Sequence, residues 1–565
     1  MEALPDEILH KIFAELEDQM ALDKWQLYGS RLDHRGSATL GHLCLVCRQF
    51  QRIAQPFLYR TIIIEGRDGA RNISTLLLRT LVENPQLAEQ VRAVSLTDSV
   101  KHSAQVKILG EDSSRKVVRS AVEKLDLPPV LKRLMEENIA SCGFAALILA
   151  YTPHVQVVDC TMGNKKTVLP WLLSASPDAG RPVGYLVDST KSDFSDDEDY
   201  VADYMNRENP EAYQEQKGIS KGTFANYCFA NLTEIRIRAV EGPKNVEVAW
   251  GIEPVLLNST VKTLRIFGTA WYGDELDYFV WPEHKNYNLE YFDLMESYVD
   301  AEGLRTILTR CLKLKGISIR LPDGERKTPI LWGLDLEEDE EDCILNFDDF
   351  GDVLRRHGQD LEEFDFNTFF FESYSTYYRN RGPGEGMIGS LQQLKSLHHL
   401  KVTKEALIGE VEPLSRLSEI LPEAIETLHL YCSGIWNIEE WVESEREPYN
   451  QDVYKLLLDG MLDLREIRME RCNTDLYNYG RFDSDSDSDS DAVADDNDAC
   501  FSGDDPEGLY KPQYGPEEYI YSKEAEWPAE LHVDGWVVDI VEERLYKIRG
   551  RPACNFRVIT LSRKT

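Results

Sequence analysis

The feature that most constrains this chain is a short pattern, apolar-x-x-apolar-x-apolar, in which x is mostly polar. It occurs eight times, and its last residue stands at positions 237, 266, 294, 319, 366, 402, 430 and 469. The steps between these positions are 29, 28, 25, 47, 36, 28 and 39 residues. The pattern predicts a strand with one buried face. Steps near 20–29 residues are typical of a solenoid, and longer steps indicate insertions.

Helical stretches lie between several of these strands, at residues 301–311, 347–357 and 414–421. Residues 91–96 and 155–158 are earlier, weaker copies of the strand pattern. Strand, turn and helix in repetition predict an α/β solenoid whose parallel strands line one face. A doubly wound α/β domain is the alternative, because it is built from the same alternating elements.

Charge is distributed unevenly along the 565 residues. The formal net charge is −37, and three runs at residues 193–199, 337–342 and 483–505 hold 5, 6 and 10 acidic residues without a Lys or Arg. The alternating Asp and Ser of the third run cannot form a core, which predicts disorder there. An acidic chain lacks the basic footprint that nucleic acids and anionic membranes require. We therefore expect neither as a partner.

The eleven cysteines are scattered, and most of them stand beside apolar residues. This distribution is typical of buried, reduced thiols. The first residues are acidic, which is unlike a secretory signal, and no apolar run is long enough for a membrane helix. We expect a cytoplasmic or nuclear protein.

The first sixty residues predict three short helices. Apolar residues recur at positions 8, 9, 12, 13 and 16, and again from 40 to 54. Pro56 is expected to end the third helix, and residues 57–62 are expected to leave it as a strand. Three helices with this much apolar surface cannot bury it alone. We therefore expect this unit to bind a partner.

Three segments of this unit carry a family resemblance. They read Leu4-Pro5-x-Glu7-Ile8-Leu9-x-x-Ile12-Phe13-x-x-Leu16, then Leu43-Cys44-Leu45-Val46-Cys47-Arg48-x-Phe50-x-x-Ile53-Ala54, then Pro56-x-Leu58-Tyr59. The chain resembles an F-box protein of the fungal type. That resemblance implies docking on a Skp-type adaptor, which links the chain to a cullin ubiquitin ligase. The adaptor-facing side chains it implies are Leu4, Pro5, Ile8, Leu9, Ile12, Leu16, Leu43, Val46 and Cys47.

One departure from the family is the long interval between the first two helices, where residues 18–37 are expected to form an inserted loop. The alternative for the whole unit is a helical cap on the rest of the chain. Cys44 and Cys47 have the spacing of a metal-ligand pair, but no second Cys or His pair accompanies them. We expect no metal and no cofactor.

The repeated strands resemble an irregular leucine-rich repeat over residues 90–475. The predicted domains are an F-box at 1–60, a solenoid with insertions at 61–475, an acidic linker at 476–508 and a C-terminal cap at 509–565. Residues 536–541 and 556–561 are expected to be strands of that cap. An F-box followed by such repeats is the arrangement of substrate receptors in ubiquitin ligases.

The polar residues between the apolar positions of each strand are expected to line the concave face. The candidate substrate-binding residues on this face are Arg236, Arg238, Arg265, Arg320, Lys401, His429, Tyr431 and Arg468. Six Lys or Arg against three Asp or Glu in the two central columns predict a locally basic surface. Such a surface suits an acidic or phosphorylated client protein. The alternative is that exposed strand positions are simply polar.

No catalytic motif stands in its required context. The glycine-rich stretch at residues 384–389 matches a dinucleotide fingerprint in letters but follows a loop. The F-box resemblance implies instead a non-catalytic receptor subunit of a ubiquitin ligase. The alternatives are a scaffold that uses the adaptor without degrading its client, and an enzyme whose site carries no recognisable motif.

Overall fold

The computed structural model describes a large part of the chain. The residues it describes are 4–16, 35–65, 71–97, 112–127, 129–137, 144–162, 168–176, 227, 229–239, 247–276, 279, 281–321, 345–368, 384–403, 406–407, 417–431, 463–473, 535–545 and 554–564. The third acidic run and the predicted linker at 476–508 lie outside these residues. Most of the predicted insertion at 18–37 does too, and its last residues are helical.

The helices lie at the N-terminus and between the strands. They are α1 (Asp6–Ala14), α2 (Arg35–Val46), α3 (Arg48–Arg60), α4 (Arg71–Glu83), α5 (Pro85–Ala88), α6 (Asp112–Glu123), α7 (Pro129–Glu137), α8 (Phe144–Ala150), α9 (Leu169–Ser174), α10 (Ala249–Ile252), α11 (Gly273–Leu276), α12 (Ala301–Arg310), α13 (Phe347–His357) and α14 (Leu417–Ile420). A 3₁₀ helix, Glu253–Leu257, follows α10. The helices predicted at 301–311 and 347–357 are confirmed.

The strands follow the predicted pattern closely. They are β1 (Thr61–Glu65), β2 (Ala93–Thr97), β3 (Val157–Met162), β4 (Glu234–Ala239), β5 (Glu247–Val248), β6 (Thr263–Phe267), β7 (Thr269–Trp271), β8 (Tyr291–Met295), β9 (Tyr298–Val299), β10 (Gly316–Arg320), β11 (Leu345–Asn346), β12 (Glu363–Asn367), β13 (Gly384–Glu385), β14 (His399–Thr403), β15 (Thr427–Tyr431), β16 (Glu466–Asn473), β17 (Trp536–Leu545) and β18 (Cys554–Arg563). Each of the eight predicted repeat strands is present, and so are the two earlier copies.

One thirteen-stranded sheet organises the fold, in the order β1-β2-β3-β4-β6-β8-β10-β12-β14-β15-β16-β18-β17. From β1 to β16 every pair is parallel, and each strand lies beside the next main strand of the sequence. A doubly wound domain reverses its strand order at a switch point, and this sheet has no such reversal. The α/β class is confirmed, whereas kinship with leucine-rich repeats stays a prediction.

Successive repeats are joined by the same backbone contact in front of each strand. The carbonyl oxygen of Lys262 accepts hydrogen bonds from the backbone N–H groups of Glu290 (2.8 Å) and Tyr291 (3.0 Å). The carbonyl oxygen of Glu290 accepts from Lys315 (2.8 Å) and Gly316 (3.0 Å) in the same way. Because this contact recurs, each strand enters the sheet at a fixed register.

The hydrophobic core lies on one face of the sheet. In β4 the alternate side chains of Ile235 and Ile237 are fully buried, and Leu232 ahead of the strand is buried with them. The corresponding residues of the other repeats join the same core, packed against the intervening helices. The polar side chains between them point to the opposite face, as period-2 alternation requires.

The C-terminal strands extend the sheet beyond β16, and the strands predicted at 536–541 and 556–561 are confirmed. β18 pairs antiparallel with β16, and β17 pairs antiparallel with β18. Leu561 of β18 is buried in the main core. The hairpin therefore covers the apolar end that the last parallel strand would expose.

One prediction at the N-terminus is wrong. The third helix does not end at Pro56 but continues to Arg60, and the strand begins only at Thr61. Proline inside a helix costs a backbone hydrogen bond. Here Phe57 and Leu58 pack against the core of the N-terminal helices, and this packing favours the continued helix.

Candidate functional site

Exposed apolar side chains are concentrated in the N-terminal helices. Ile8 and Ile12 are spaced four residues apart on α1, so they share one face of that helix, and Leu4 lies just ahead of its N-cap residue Pro5. Leu45 and Val46 are exposed at the end of α2. These five are 43–84% exposed, and they make up half of the ten large apolar side chains exposed in the described part of the chain. Exposed apolar clusters mark interaction sites.

Polar contacts hold α1 against the start of α3. The side-chain amide of Gln49 donates to a carboxylate oxygen of Asp6 (2.8 Å) and to the carbonyl oxygen of Leu4 (3.4 Å). Arg52 forms an ion pair with Asp6. Gln49 stands three residues after Val46 and contacts Leu4. The residues that start α1 therefore lie next to the junction between α2 and α3. We call these five exposed side chains (Leu4, Ile8, Ile12, Leu45 and Val46) the apolar ridge.

The predicted adaptor-facing residues divide into two groups. Leu4, Pro5, Ile8, Ile12, Val46 and Cys47 are exposed. Leu9 is only 3% exposed, because it packs with Phe13 inside the three-helix core. Leu16 and Leu43 pack partly against that core. Leu9 therefore contributes to the core of the three helices, and its side chain is not available on the surface.

Cys47 has a local structural role. Its sulfur accepts a hydrogen bond from the backbone N–H of Phe50 at 3.4 Å, so it caps the N-terminus of α3. A cap of this kind satisfies one of the N–H groups that a helix start leaves unpaired. Cys44 and Cys47 are both free thiols. Among the residues that the structure describes, no group of three or more His, Cys, Asp and Glu is arranged to hold a metal ion.

The N-terminal helices and their exposed ridge correspond to a known domain type. Residues 1–65 match the family model described as F-box-like. The match covers the three helices and β1, and it indicates in general terms an adaptor role of the SCF type. Among curated proteins, no relative matches the chain.

The F-box-like unit is joined to the sheet without a linker. α3 ends at Arg60 and β1 begins at Thr61. The carbonyl oxygen of Arg60 accepts a hydrogen bond from the backbone N–H of Arg92 at 2.8 Å, immediately ahead of β2. The last turn of the third helix is therefore part of the ladder that orders the sheet.

The polar face of the sheet is the second candidate site. The predicted central column is confirmed by the strand register: its residues are paired Cα to Cα in the order Arg236, Arg265, Asp293, Ser318, Asp365, Lys401, His429 and Arg468. Ser95 and Asp159 extend this column at the β4 side. Arg238 and Arg320 lie two residues further along their strands.

In the first half of this face, from β3 to β8, the charged side chains form ion pairs with one another. Glu234 accepts from Arg236 (2.8 Å) and Arg265 (3.1 Å), and Arg265 also donates to Asp293 (3.1 Å). Arg238 donates to Asp159 at 2.9 Å. The charge count made from the sequence left out Asp159 and Glu234, so the predicted excess of positive charge is wrong for this half.

Burial shifts the pKa values of two carboxylates in this half of the polar face. It raises the pKa of Asp159, although Arg238 and Arg236 oppose the shift. It also raises the pKa of Asp293, against the opposing effect of Arg265. Arg236 itself is only 2% exposed. Asp159 and Arg236 are therefore inaccessible to a client, whereas the Asp293 side chain remains 18% exposed.

The second half of the face is more open. Lys401 has a side chain 50% exposed and lies 3.8 Å from Asp365, and Arg320 is exposed. The hydroxyl of Tyr431 donates to Asp365 at 2.9 Å, and the ring of His429 lies 4.4 Å from the ring of Tyr431. Burial raises the pKa of Asp365, while Lys401 and the Tyr431 hydroxyl lower it.

Within the described ranges, no helix has both the length and the apolar character that crossing a bilayer requires. The apolar ridge and the open half of the polar face are candidate interaction surfaces.

Proposed function

We propose that this chain is the substrate-recognition subunit of an SCF-type ubiquitin ligase in the cytoplasm or nucleus. The F-box-like unit docks on a Skp-type adaptor, and the adaptor connects it to a cullin. The sheet carries the client protein. Catalysis then belongs to the ligase partners, since this chain acts by holding the client near the ubiquitin-conjugating enzyme, which raises the effective concentration.

The apolar ridge is the observation that carries this proposal. Its side chains lie on α1, just ahead of α1 and at the end of α2, in a unit that matches an F-box-like model, yet their apolar atoms face solvent. Burying a large aliphatic side chain contributes about 1.5–3 kcal/mol. A partner that covers the ridge therefore gains several kcal/mol of apolar burial, which offsets part of the cost of association.

The client surface of this proposal is the open half of the polar face, from β10 to β16. Arg320 and Lys401 are its exposed cations. His429 on β15 and Arg468 on β16 are partly exposed, whereas Tyr431 is only 8% exposed and holds Asp365. A client segment with carboxylate or phosphate groups would pair with these cations. In the other half, Arg236, Arg238 and Arg265 are paired with carboxylates, and we assign them a structural role.

Co-purification with a Skp-type adaptor tests the docking step. We would express the chain with the adaptor as wild type and as an Ile8→Asp/Ile12→Asp double variant. Each change removes about 1 kcal/mol of apolar burial, and it places a charge in an apolar interface at a further cost of about 2 kcal/mol or more. We expect the affinity to fall at least 100-fold, as measured by isothermal titration.

Leu76→Asp is the matched control, because Leu76 is similarly exposed (48%) on α4, outside the F-box-like helices. It should leave the affinity unchanged. An adaptor that binds neither the wild type nor the control would refute the docking proposal and support the alternative of a helical cap. Equal loss in the control and the double variant would show that the ridge is not the contact.

Two alternatives predict different results downstream of docking. A non-degradative scaffold would bind the adaptor but would not support ubiquitination of its client in a reconstituted ligase with cullin. An unrecognised enzyme would turn over a small molecule in the absence of the adaptor. Client ubiquitination that depends on Ile8 and Ile12 would favour the ligase receptor over both.

A further inference from the structure

A second group of exposed apolar side chains lies where two adjacent repeats enter the sheet. Outside the apolar ridge, five large apolar side chains are exposed in the described part of the chain. Three of these five lie at the start of β8 or just ahead of β8 and β10, and they are Tyr287 (57% exposed), Tyr291 (38%) and Leu312 (44%). Exposed apolar residues scattered singly are normal, whereas a cluster marks an interaction site.

Backbone pairing brings Tyr287 and Leu312 together. The N–H of Asn286 donates to the carbonyl oxygen of Arg310 (2.7 Å), and the N–H of Leu312 donates to the carbonyl oxygen of Asn286 (2.9 Å). These bonds form a parallel bridge between Asn286 and Cys311, whose side chains are both buried. Because side chains alternate along an extended chain, the residues that follow point outward on the same side. Tyr287 and Leu312 are therefore neighbours at the strand spacing of about 4.8 Å.

The side chain of Asn286 fixes the turn that carries Tyr287. Its amide nitrogen donates to the carbonyl oxygens of Leu256 (3.0 Å) and Asn258 (3.3 Å) in the preceding repeat. Its amide oxygen accepts from the backbone N–H groups two and three residues ahead, both at 2.9 Å. The turn is thus held in place before any partner arrives, which lowers the entropic cost of binding.

Tyr291 extends the group onto the polar face of the sheet. It is the first residue of β8, and it is paired Cα to Cα with Gly316 on β10. A Cβ at Gly316 would lie 2.8 Å from the Cδ1 atom of the Tyr291 ring, so the ring lies over the glycine. Glycine at this position gives the ring room to rest against β10. We call Tyr287, Tyr291 and Leu312 the tyrosine patch.

The surroundings of the tyrosine patch are basic, although the chain has a net charge of −37. Residues 303–322 hold five Lys or Arg and no Asp or Glu. Lys313 directly follows Leu312 and is exposed. Lys285 is partly exposed two residues ahead of Tyr287, on the same side of the extended segment. Within the residues that the structure describes, neither lysine forms an ion pair.

The carboxylates near the tyrosine patch do not cancel this charge. Glu290 lies 3.3 Å from Lys262 and 3.7 Å from Lys315, so it is already shared by two other lysines. Glu283 is exposed ahead of the Tyr287 turn and offsets part of the charge there. A carboxylate of a partner would complement the unpaired lysines, whereas a basic segment would be repelled by them.

We propose that the tyrosine patch binds an acidic segment of a partner protein. An apolar side chain of the segment packs against Tyr287 and Leu312, and carboxylates on either side of it pair with Lys285 and Lys313. Tyrosine suits this role because it contributes a large apolar ring and is enriched among the residues that dominate interfaces. The patch is separate from the apolar ridge, and its binding does not depend on the ligase proposal.

The probe is a fluorescein-labelled peptide with leucine and phenylalanine at its centre and glutamates on either side. Its counterpart has glutamines in place of the glutamates. Anisotropy would be measured on the full chain as wild type, Tyr287→Ser/Leu312→Ser and Lys285→Gln/Lys313→Gln. Leu76→Ser is the matched control, because Leu76 is 48% exposed on α4, away from the patch.

We expect the glutamate peptide to bind the wild type and Leu76→Ser equally. It should bind Tyr287→Ser/Leu312→Ser at least tenfold more weakly, which corresponds to about 1.4 kcal/mol. The net charge of the chain repels an acidic peptide elsewhere, so binding reports a local site. Absence of binding to the wild type would overturn the proposal, and so would equal affinity for the wild type and the double serine variant.

The lysine variant tests the charge assignment. Lys285→Gln/Lys313→Gln should weaken binding of the glutamate peptide about tenfold and leave the glutamine peptide unchanged, because only the first peptide has charges that couple to the lysines. An equal loss for both peptides would overturn that assignment. Lys401→Gln on the polar face should change neither peptide. A loss in Lys401→Gln without a loss in the double serine variant would place the peptide on the open half of the polar face and refute the tyrosine patch.

Discussion

A buried ion pair behind the sheet gives the sharpest test of the packing. Arg310 at the end of α12 lies 3.7 Å from Glu253, and their side chains are 3% and 1% exposed. Arg310 also lies over the ring of Phe279 at 5.0 Å, and Glu253 accepts a hydrogen bond from the backbone N–H of Trp281 at 2.8 Å. Burial lowers the pKa of Arg310, and Glu253 opposes that shift.

Glu253→Ala leaves the Arg310 guanidinium buried without its counter-charge. Removing one partner of a buried pair costs about 3–5 kcal/mol. The lost hydrogen bond to Trp281 adds about 1 kcal/mol. Taking the lower value for the pair alone as a minimum, we expect the free energy for local opening of the segment between α10 and α12 to fall by at least about 3 kcal/mol. A replacement of both charges, Glu253→Leu/Arg310→Met, should recover much of this loss.

Hydrogen exchange read by mass spectrometry measures that opening directly. A loss of 3 kcal/mol corresponds to exchange about 100-fold faster in residues 279–286, with little change in β14 and β15. Glu302→Ala is the control, because it removes an ion pair at the surface. Glu302 pairs with Arg305 in solvent, and such pairs contribute about 0–1 kcal/mol. Exchange accelerated less than fivefold in Glu253→Ala would refute the reasoning.

Two further predictions concern the repeats. Gly303→Ala should lower the free energy of unfolding by about 1–3 kcal/mol, because a Cβ at Gly303 would collide with the carbonyl oxygen of Trp271. Gly41→Ala, with open space around it, should cost nothing in the same urea titration. Burial raises the folded-state pKa of Asp365, so its contribution to stability is full below the unfolded pKa and is lost as pH rises through the folded value. Asp365→Asn should flatten that part of the pH profile of the urea midpoint, and an unchanged slope would contradict this account.

Strand positions and their pairing order were predictable from the chain itself. The apolar residues of each repeat alternate with polar ones, and only one register keeps the apolar set on the core face. That constraint predicted the column from Arg236 to Arg468 correctly. The three N-terminal helices were predictable for a similar reason, since both halves of the F-box-like pattern follow helical spacing.

Predictions from neighbouring residues alone were wrong where packing against residues distant in the chain determines the structure. Pro56 predicts a helix end, but Phe57 and Leu58 find a core to pack against, and the helix continues. Leu9 and Ile8 are equivalent in the sequence pattern, yet Leu9 faces α3 and Ile8 faces solvent. The orientation in which α1 packs against the neighbouring helices determines which of the two side chains is buried.

The polar face shows the same division. The sequence by itself determined which side chains point away from the core, because the strand alternates with period two. Only the tertiary structure decided most of the neutralisation, since Asp159 reaches Arg238 and Glu234 reaches Arg265 across paired strands, whereas the Glu234–Arg236 pair lies within one strand. Ion pairs depend on distances of a few ångströms, and those distances are set when the sheet assembles.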